Sequence, residues 1–267
     1  MSTSLERRAL ENRPFELPGS GGAVLLVHGL GGGTYEVQWL GEALHERTGL
    51  TVRAVHLPGH DSPSRRMPPS RHEDWVSAVA RERESMAGSG PVHLVGFSTG
   101  CTICLRVAQL HGHDGKLVLL APFIDIYRPP LLPVRPEALL RTFSGLAQVP
   151  RRGPPLKDRA LRREVTRCLP FTTMNLDAAR SAKALSDLVM RDIEAVRAPV
   201  LILQGMRDTV VDPRGAARIE SRLPGERRLI MLEDSDHLVA LDREHERVFN
   251  EVTSFLRPPA PGRLPAA

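Results

Sequence analysis

The 267 residues are enough for one domain, or one domain with an insertion, and an apolar content of 41% can fill a sizeable core. The net charge is +5, but all except three of the 36 basic residues are Arg spread along the chain, and only 4% of residues are aromatic; this argues against a nucleic-acid surface with stacking platforms. Cys101, Cys104 and Cys168 are too few for a disulfide framework, the first residues lack the apolar core of a signal peptide, and no stretch approaches the roughly 18–20 apolar residues of a membrane span, so the expectation is a cytoplasmic chain.

In chain order, Arg13 to Leu17 reads as a short edge strand, and Ala23-Val-Leu-Leu-Val27 as a strand buried on both faces. The chain then enters His28-Gly29-Leu30-Gly31-Gly32-Gly33. Consecutive glycines cost conformational entropy, so the loop is either simply flexible or brings backbone N–H groups close to a ligand. Tyr35 to Arg47 is an amphipathic helix with Val37, Leu40, Ala43 and Leu44 on one face. Thr51 to Val55 is a strand ending in His56-Leu-Pro-Gly-His60-Asp61, the Pro- and Ser-rich stretch 62–70 is loop, and His72 to Met86 is a helix.

Pro91-Val-His-Leu-Val-Gly-Phe97 is a strand that runs through Gly96-Phe97-Ser98-Thr99-Gly100 straight into a helical pattern. That context fits a nucleophile elbow, a strand–turn–helix bend that lifts a serine hydroxyl above a sheet. At so sharp a bend, side chains at 96 and 100 would clash. Cys101 and Cys104 spell C-x-x-C inside the predicted helix, where packing is the expected role.

Lys116 to Pro122 is a further buried strand. The strand–helix alternation indicates a parallel α/β sheet. From Asp125 to Asn175 prolines accumulate, which predicts an insertion of small helices; Leu131, Leu132, Leu139, Leu140, Phe143 and Leu146 in it are more apolar side chains than a surface insertion needs and are candidates to line a pocket. The expected core is therefore 1–124 with 176–257, the cap 125–175, and a disordered tail 258–267. Alternation resumes with a helix from Leu176 to Val196, a strand from Pro199 to Leu203, and a helix from Pro213 to Leu223 capped by Asp212. A last strand spans Arg227 to Leu232, and Asp242 is expected to cap the final helix to about Leu256.

An activated serine needs a base, and the base needs a carboxylate to hold its tautomer. In an open parallel sheet both should lie beyond the carboxyl ends of strands. Two loops there carry such residues: Gln204-Gly-Met-Arg-Asp208-Thr-Val-Val-Asp212 and Glu233-Asp-Ser-Asp-His237. Asp208 is preferred to Asp212, which already has a capping role. His237 is preferred to His28 and His60, which read as loop-fixing residues. The order Ser98, Asp208, His237 matches the acid-before-histidine order of α/β-hydrolases.

Together, Leu26-Val-His-Gly-Leu-Gly-Gly-Gly33, His56-Leu-Pro-Gly-His60, the elbow, Asp208-Thr-Val-Val-Asp212 and Ser235-Asp-His237-Leu-Val-Ala-Leu-Asp242 resemble the bacterial carboxylesterase and monoacylglycerol-lipase branch of the α/β-hydrolases. The resemblance implies an α/β-hydrolase fold with a helical cap. It also implies a Ser98–His237–Asp208 triad and an oxyanion hole from the backbone N–H groups of Leu30 and Thr99. The implied reaction is hydrolysis of a small acyl ester of short to medium chain, with no cofactor and no metal. Two positions depart from the pattern: Cys101 stands where the family often has Gly or Ala, which would crowd the elbow, and Asp236 stands where Gly is common. Asp236 would raise the pKa of His237. Arg151, Arg152, Lys157, Arg159, Arg162, Arg163 and Arg167 keep a second reading open, a thioesterase acting on acyl-CoA or an acyl carrier protein. A third is a non-catalytic binder on the same fold. Oligomeric state is not readable from the sequence.

Overall fold

The computed structural model describes residues 8–129 and 148–257. The apolar pocket candidates Leu131, Leu132, Leu139, Leu140, Phe143 and Leu146, and the tail 258–267, lie outside the described residues.

Among the described residues, the main sheet is built from β1 (Phe15–Leu17), β2 (Ala23–Val27), β3 (Thr51–Ala54), β4 (Val92–Phe97), β5 (Leu117–Leu120), β8 (Val200–Gly205) and β9 (Arg227–Leu232). Its spatial order is β1-β3-β2-β4-β5-β8-β9. Only β1 runs antiparallel, pairing with β3 at the edge; the other neighbours are parallel. The inner strands β2, β4, β5 and β8 are buried throughout and read as near-continuous apolar runs because both faces are covered: Leu25 and Val27 enter one core cluster, Val24 and Leu26 the other.

Seven helices pack on this sheet among the described residues. Helices α1 (Gln38–Thr48), α4 (Arg159–Cys168) and α7 (His245–Leu256) share one cluster through Leu40, Leu161, Val248 and their neighbours. Helices α2 (His72–Ser85), α3 (Thr99–His111), α5 (Leu176–Arg191) and α6 (Arg214–Arg222) share the other through Trp75, Ile103, Leu185 and Ile219. The apolar face predicted for the first helix is buried as expected, and α2 buries Trp75, Val76, Val79 and Ala80. The helix expected from Tyr35 is replaced at its start by a 3-10 turn, Thr34–Glu36, in which Glu36 is buried.

Between β5 and α5 the chain leaves the sheet. The described part holds α4 flanked by β6 (Gln148–Pro150) and β7 (Thr173–Asn175), which pair antiparallel, so it is not composed of helices alone. Asp158 opens α4 and Asn175 opens α5, each side chain accepting two backbone N–H bonds of the first turn. After β2 the chain adds β3 on one side and then β4 on the other, so β2 and β4 flank a topological switch point, the place where open parallel sheets gather their functional loops.

Candidate active site

Ser98 sits at that switch point between β4 and α3, with φ 53° and ψ −115°. A non-glycine residue at positive φ costs on the order of 1–3 kcal/mol and persists only where its surroundings enforce it. Here the Ser98 N–H donates to the Leu120 carbonyl at 2.8 Å, while the Ser98 carbonyl accepts the N–H groups of Cys101 (3.1 Å) and Phe123 (3.2 Å). The elbow glycines have the steric cause expected of them. A Cβ on Gly96 would lie 2.5 Å from the backbone of Gly100 and Cys101, and one on Gly100 would lie 2.2 Å from the Val27 carbonyl. Cys101 does not crowd the bend: its thiol is buried within hydrogen-bond reach of the Gly96 (3.1 Å) and Leu120 (3.2 Å) carbonyls. Burial pushes the thiols of Cys101 and Cys104 well above the usual cysteine pKa, in keeping with packing.

Two loops from other strands converge on Ser98. His237, after β9, places Nε2 3.0 Å from Ser98 Oγ and Nδ1 2.8 Å from Asp208 Oδ2, after β8. All three side chains are buried, with relative exposures of 7% for Ser98, 5% for His237 and 2% for Asp208. Asp208 Oδ1 accepts the N–H groups of Val210 and Val211, each at 2.8 Å, so backbone fixes the carboxylate's orientation. Asp212 faces elsewhere. Its carboxylate binds the Arg214 guanidinium and the Arg214 N–H at the start of α6, and these bonds hold its pKa below the usual aspartate value.

Burial alone would draw the His237 imidazole toward its neutral form. The charge and hydrogen bond of Asp208 outweigh that, with further help from Glu36 and then Asp236, and the pKa is held above the ordinary histidine value. Asp236 is thus the weakest of the three carboxylates. Its own contacts are structural: Oδ1 accepts the N–H groups of Thr209 and His237, and Oδ2 lies 3.4 Å from Lys157 Nζ.

The glycine loop after β2 lies against the serine. A Cβ at Gly29 would sit 3.1 Å from Ser98 Cβ. Leu30 follows it and Thr99 begins α3; no hydrogen bond from either backbone N–H to a described residue is present. The three following glycines are packed closely by side chains, and Gly31 also takes a left-handed φ of 67°, which favours glycine. Added Cβ atoms would lie 2.5 Å from Met174 Sδ at Gly31, 2.1 Å from Glu36 Oε1 at Gly32 and 1.9 Å from Asn12 Oδ1 at Gly33. His28 and His60 fix the loop as expected, their Nε2 atoms accepting the N–H groups of Leu57 (3.0 Å) and Gly31 (2.9 Å). Burial lowers both pKa values, that of His60 to about 4, so both rings are neutral acceptors.

Several participants were not anticipated from sequence. Gln204, fully buried at the end of β8, donates from Nε2 to Asp208 Oδ2 at 3.0 Å, the same oxygen that faces His237. The signal available was a polar residue closing an otherwise apolar strand. Asp242 does not cap α7. Its fully buried carboxylate accepts the N–H groups of Lys157, Asp158, Asp236 and Arg243, joining the start of α4 to the histidine loop. Arg151, at the end of β6, donates to the Gly31 carbonyl. Among the described residues no three His, Cys, Asp or Glu converge as a metal site, and no helix is long and apolar enough to cross a membrane.

The model of the family described as "Alpha/beta hydrolase family" matches residues 24–251. A carboxylesterase of Bacillus subtilis (strain 168) is 26% identical over 252 residues, covering 91% of this chain and 96% of the relative. A thermostable monoacylglycerol lipase of Bacillus sp. (strain H-257) is 25% identical over 259 residues, covering 91% and 93%. The crystal structure of Paleococcus ferrophilus monoacylglycerol lipase superposes with a TM-score of 0.78 at 22% identity, over 92% of this chain and 98% of that one, a likeness of fold.

Proposed function

The chain belongs to the alpha/beta hydrolase family, and on that premise we propose that it is a serine hydrolase of carboxylic esters, acting through Ser98, His237 and Asp208 on short- to medium-chain acyl groups. The observation that carries the reading is the unbroken run of hydrogen bonds from buried Asp208 through His237 to Ser98. In this mechanism Ser98 Oγ attacks the ester carbonyl carbon while His237 Nε2 takes its proton. The oxygen that becomes negative is held by the Leu30 and Thr99 N–H groups, donors aligned before reaction at low cost. Collapse breaks the bond to the alcohol, which leaves with the proton from His237. Water repeats the two steps on the acyl-enzyme and releases the acid. Besides the ester and water, these steps call only on groups of the chain.

In this reading the insertion expected at 125–175 selects the substrate, and its described part, residues 148–175, meets the glycine loop through Arg151 and Met174. A thioesterase remains the second reading, on one observation: Arg159, Arg163 and Arg167 are exposed along α4. Arg162 is less informative, since its guanidinium donates to the Leu156 carbonyl. Turnover of a panel of p-nitrophenyl esters, monoacylglycerols and acyl-CoA thioesters separates the two. Ester turnover should dominate, and Ser98→Ala should lower kcat by roughly 10⁴-fold or more with the fold intact. Retention of more than about a tenth of the activity excludes Ser98 as nucleophile. Faster thioester turnover that collapses when Arg159, Arg163 and Arg167 are neutralised excludes the ester assignment.

A further inference from the structure

The loop from His28 to Gly33 closes around a carboxylate that the ester mechanism does not use. Glu36 is only 4% exposed, although it stands in a 3-10 turn just before α1 where a charged residue would ordinarily face water. Its side chain turns back under the loop instead. Oε2 accepts the Gly29 N–H at 2.8 Å, and Oε1 accepts the Tyr35 hydroxyl at 3.3 Å. Gly32 lies so close that any Cβ there would overlap the carboxylate, at 2.1–2.3 Å. No cationic side chain bonds to Glu36 among the described residues. Burial raises its pKa, opposed by the Gly29 hydrogen bond and then by the charges of Arg151 and His237.

A buried carboxylate with so few partners costs stability, so a role beyond filling space is required of it. The contacts of Gly29 define that role. Its N–H is tied to Glu36, and its carbonyl meets both the Gly32 N–H at 3.2 Å and His28 Nδ1 at 2.8 Å. Both sides of the residue are therefore fixed. Because a trans peptide sets its N–H opposite its carbonyl, fixing the Gly29 carbonyl also fixes the direction of the Leu30 N–H. A Cβ built on Gly29 would fall 3.1 Å from Ser98 Cβ, so the loop passes close to the serine, and a rotation about Gly29, whose N–H Glu36 anchors, would turn the next peptide and displace the Leu30 donor from the reacting carbonyl.

We infer that Glu36 is a positioning residue that sets the oxyanion hole, acting through Gly29 on the Leu30 N–H. The inference rests on Ser98 being the nucleophile, and it predicts a loss confined to the transition state. Glu36→Ala removes the acceptor, and Glu36→Asp keeps the charge but withdraws it by one methylene from Gly29. Both should lower kcat for p-nitrophenyl butyrate by about 10–100-fold, somewhat less than deletion of an oxyanion donor, with KM within about 3-fold. Affinity for a trifluoromethyl ketone, which forms a tetrahedral adduct, should fall by the same factor. Glu36→Gln retains an oxygen for the Gly29 N–H and should restore kcat to within about 3-fold of wild type.

Thermal melts establish that each variant is folded, and if the alanine variant is not, the aspartate and glutamine pair gives the answer. Unchanged kcat and ketone affinity in a folded Ala or Asp variant overturns the role of Glu36. So does a folded Gln variant as impaired as the Asp variant, or a Gln variant that does not fold. Labelling of Ser98 in the wild-type protein by a fluorophosphonate, read by peptide mass, separates the two ideas. An unlabelled, inactive wild type overturns the serine-hydrolase reading and this inference with it. A labelled, active wild type with indifferent variants overturns only the latter.

Discussion

At the scale of single residues, the proposed mechanism divides the acidic groups around His237 by what each one touches. Asp208 holds the Nδ1 proton, so Asp208→Asn should reduce kcat by about 10³–10⁴-fold by favouring the wrong tautomer. Asp212→Asn should cost less than about 3-fold, because its carboxylate is spent on Arg214 and Asn serves as well at a helix start. Steady-state kinetics on the two variants test the assignment, and a reversal would make Asp212 the acid. Catalysis needs neutral His237, so kcat/KM should fall as pH drops through a pKa above the ordinary histidine value. Asp236→Asn removes the weakest of the facing charges and should move that limb to lower pH by less than about half a unit. A shift of a full unit would mean that Asp236, and not Asp208, dominates the proton affinity of His237.

At the scale of elements, the strands supply rigid ends and a few buried carboxylates hold the loops between them. Asp242 is the clearest case, since one side chain ties backbone N–H groups of the α4 start to those of the histidine loop. Asp242→Ala leaves those donors without their acceptor, at roughly 1–3 kcal/mol for each group that water cannot reach. The expected loss is about 3 kcal/mol or more in urea unfolding, with a smaller loss for Asp242→Asn, which retains one oxygen. A loss under about 1 kcal/mol in the alanine variant would show that the two segments are held by packing alone.

At the scale of the whole molecule, neutral buried histidines tie stability to pH. His60 and His93 have pKa values lowered by burial to about 4, His113 likewise, and His28 is lowered well below its usual value. In the unfolded chain each binds a proton near 6.5, so between about 6.5 and 4 the unfolded state holds more protons. Their stabilisation is therefore complete above the unfolded pKa and lost as pH falls. His237, with its raised pKa, has the opposite sign: its contribution is complete below the unfolded pKa and is lost as pH rises through the folded one. The lowered group is larger, so the urea midpoint should fall between pH 7 and 5, by about 1–2 kcal/mol for each of His60 and His93. His93→Gln, which keeps an acceptor for the Lys116 N–H, should flatten that slope. A midpoint independent of pH in the wild type would refute the account.

What the sequence determined by itself was whatever depends on neighbours along the chain. Strand runs such as 23–27, the bend at Ser98 and the acid and histidine after β8 and β9 each announce themselves within a few residues, because periodicity, glycine sterics and strand ends are local properties. The family resemblance added their order. The tertiary structure decided the rest. Gly31 takes a left-handed φ of 67°, and Gly31, Gly32 and Gly33 are packed by Met174, Glu36 and Asn12, two of which are distant in sequence. Glu36 is buried in a 3-10 turn before α1, with the Gly29 N–H as its partner, and Asp242 serves the start of α4 instead of capping α7. Such roles are fixed by which loops the parallel sheet gathers at its carboxyl edge, and the distance between a buried charge and its partners is set by packing across the molecule, not by spacing along the chain.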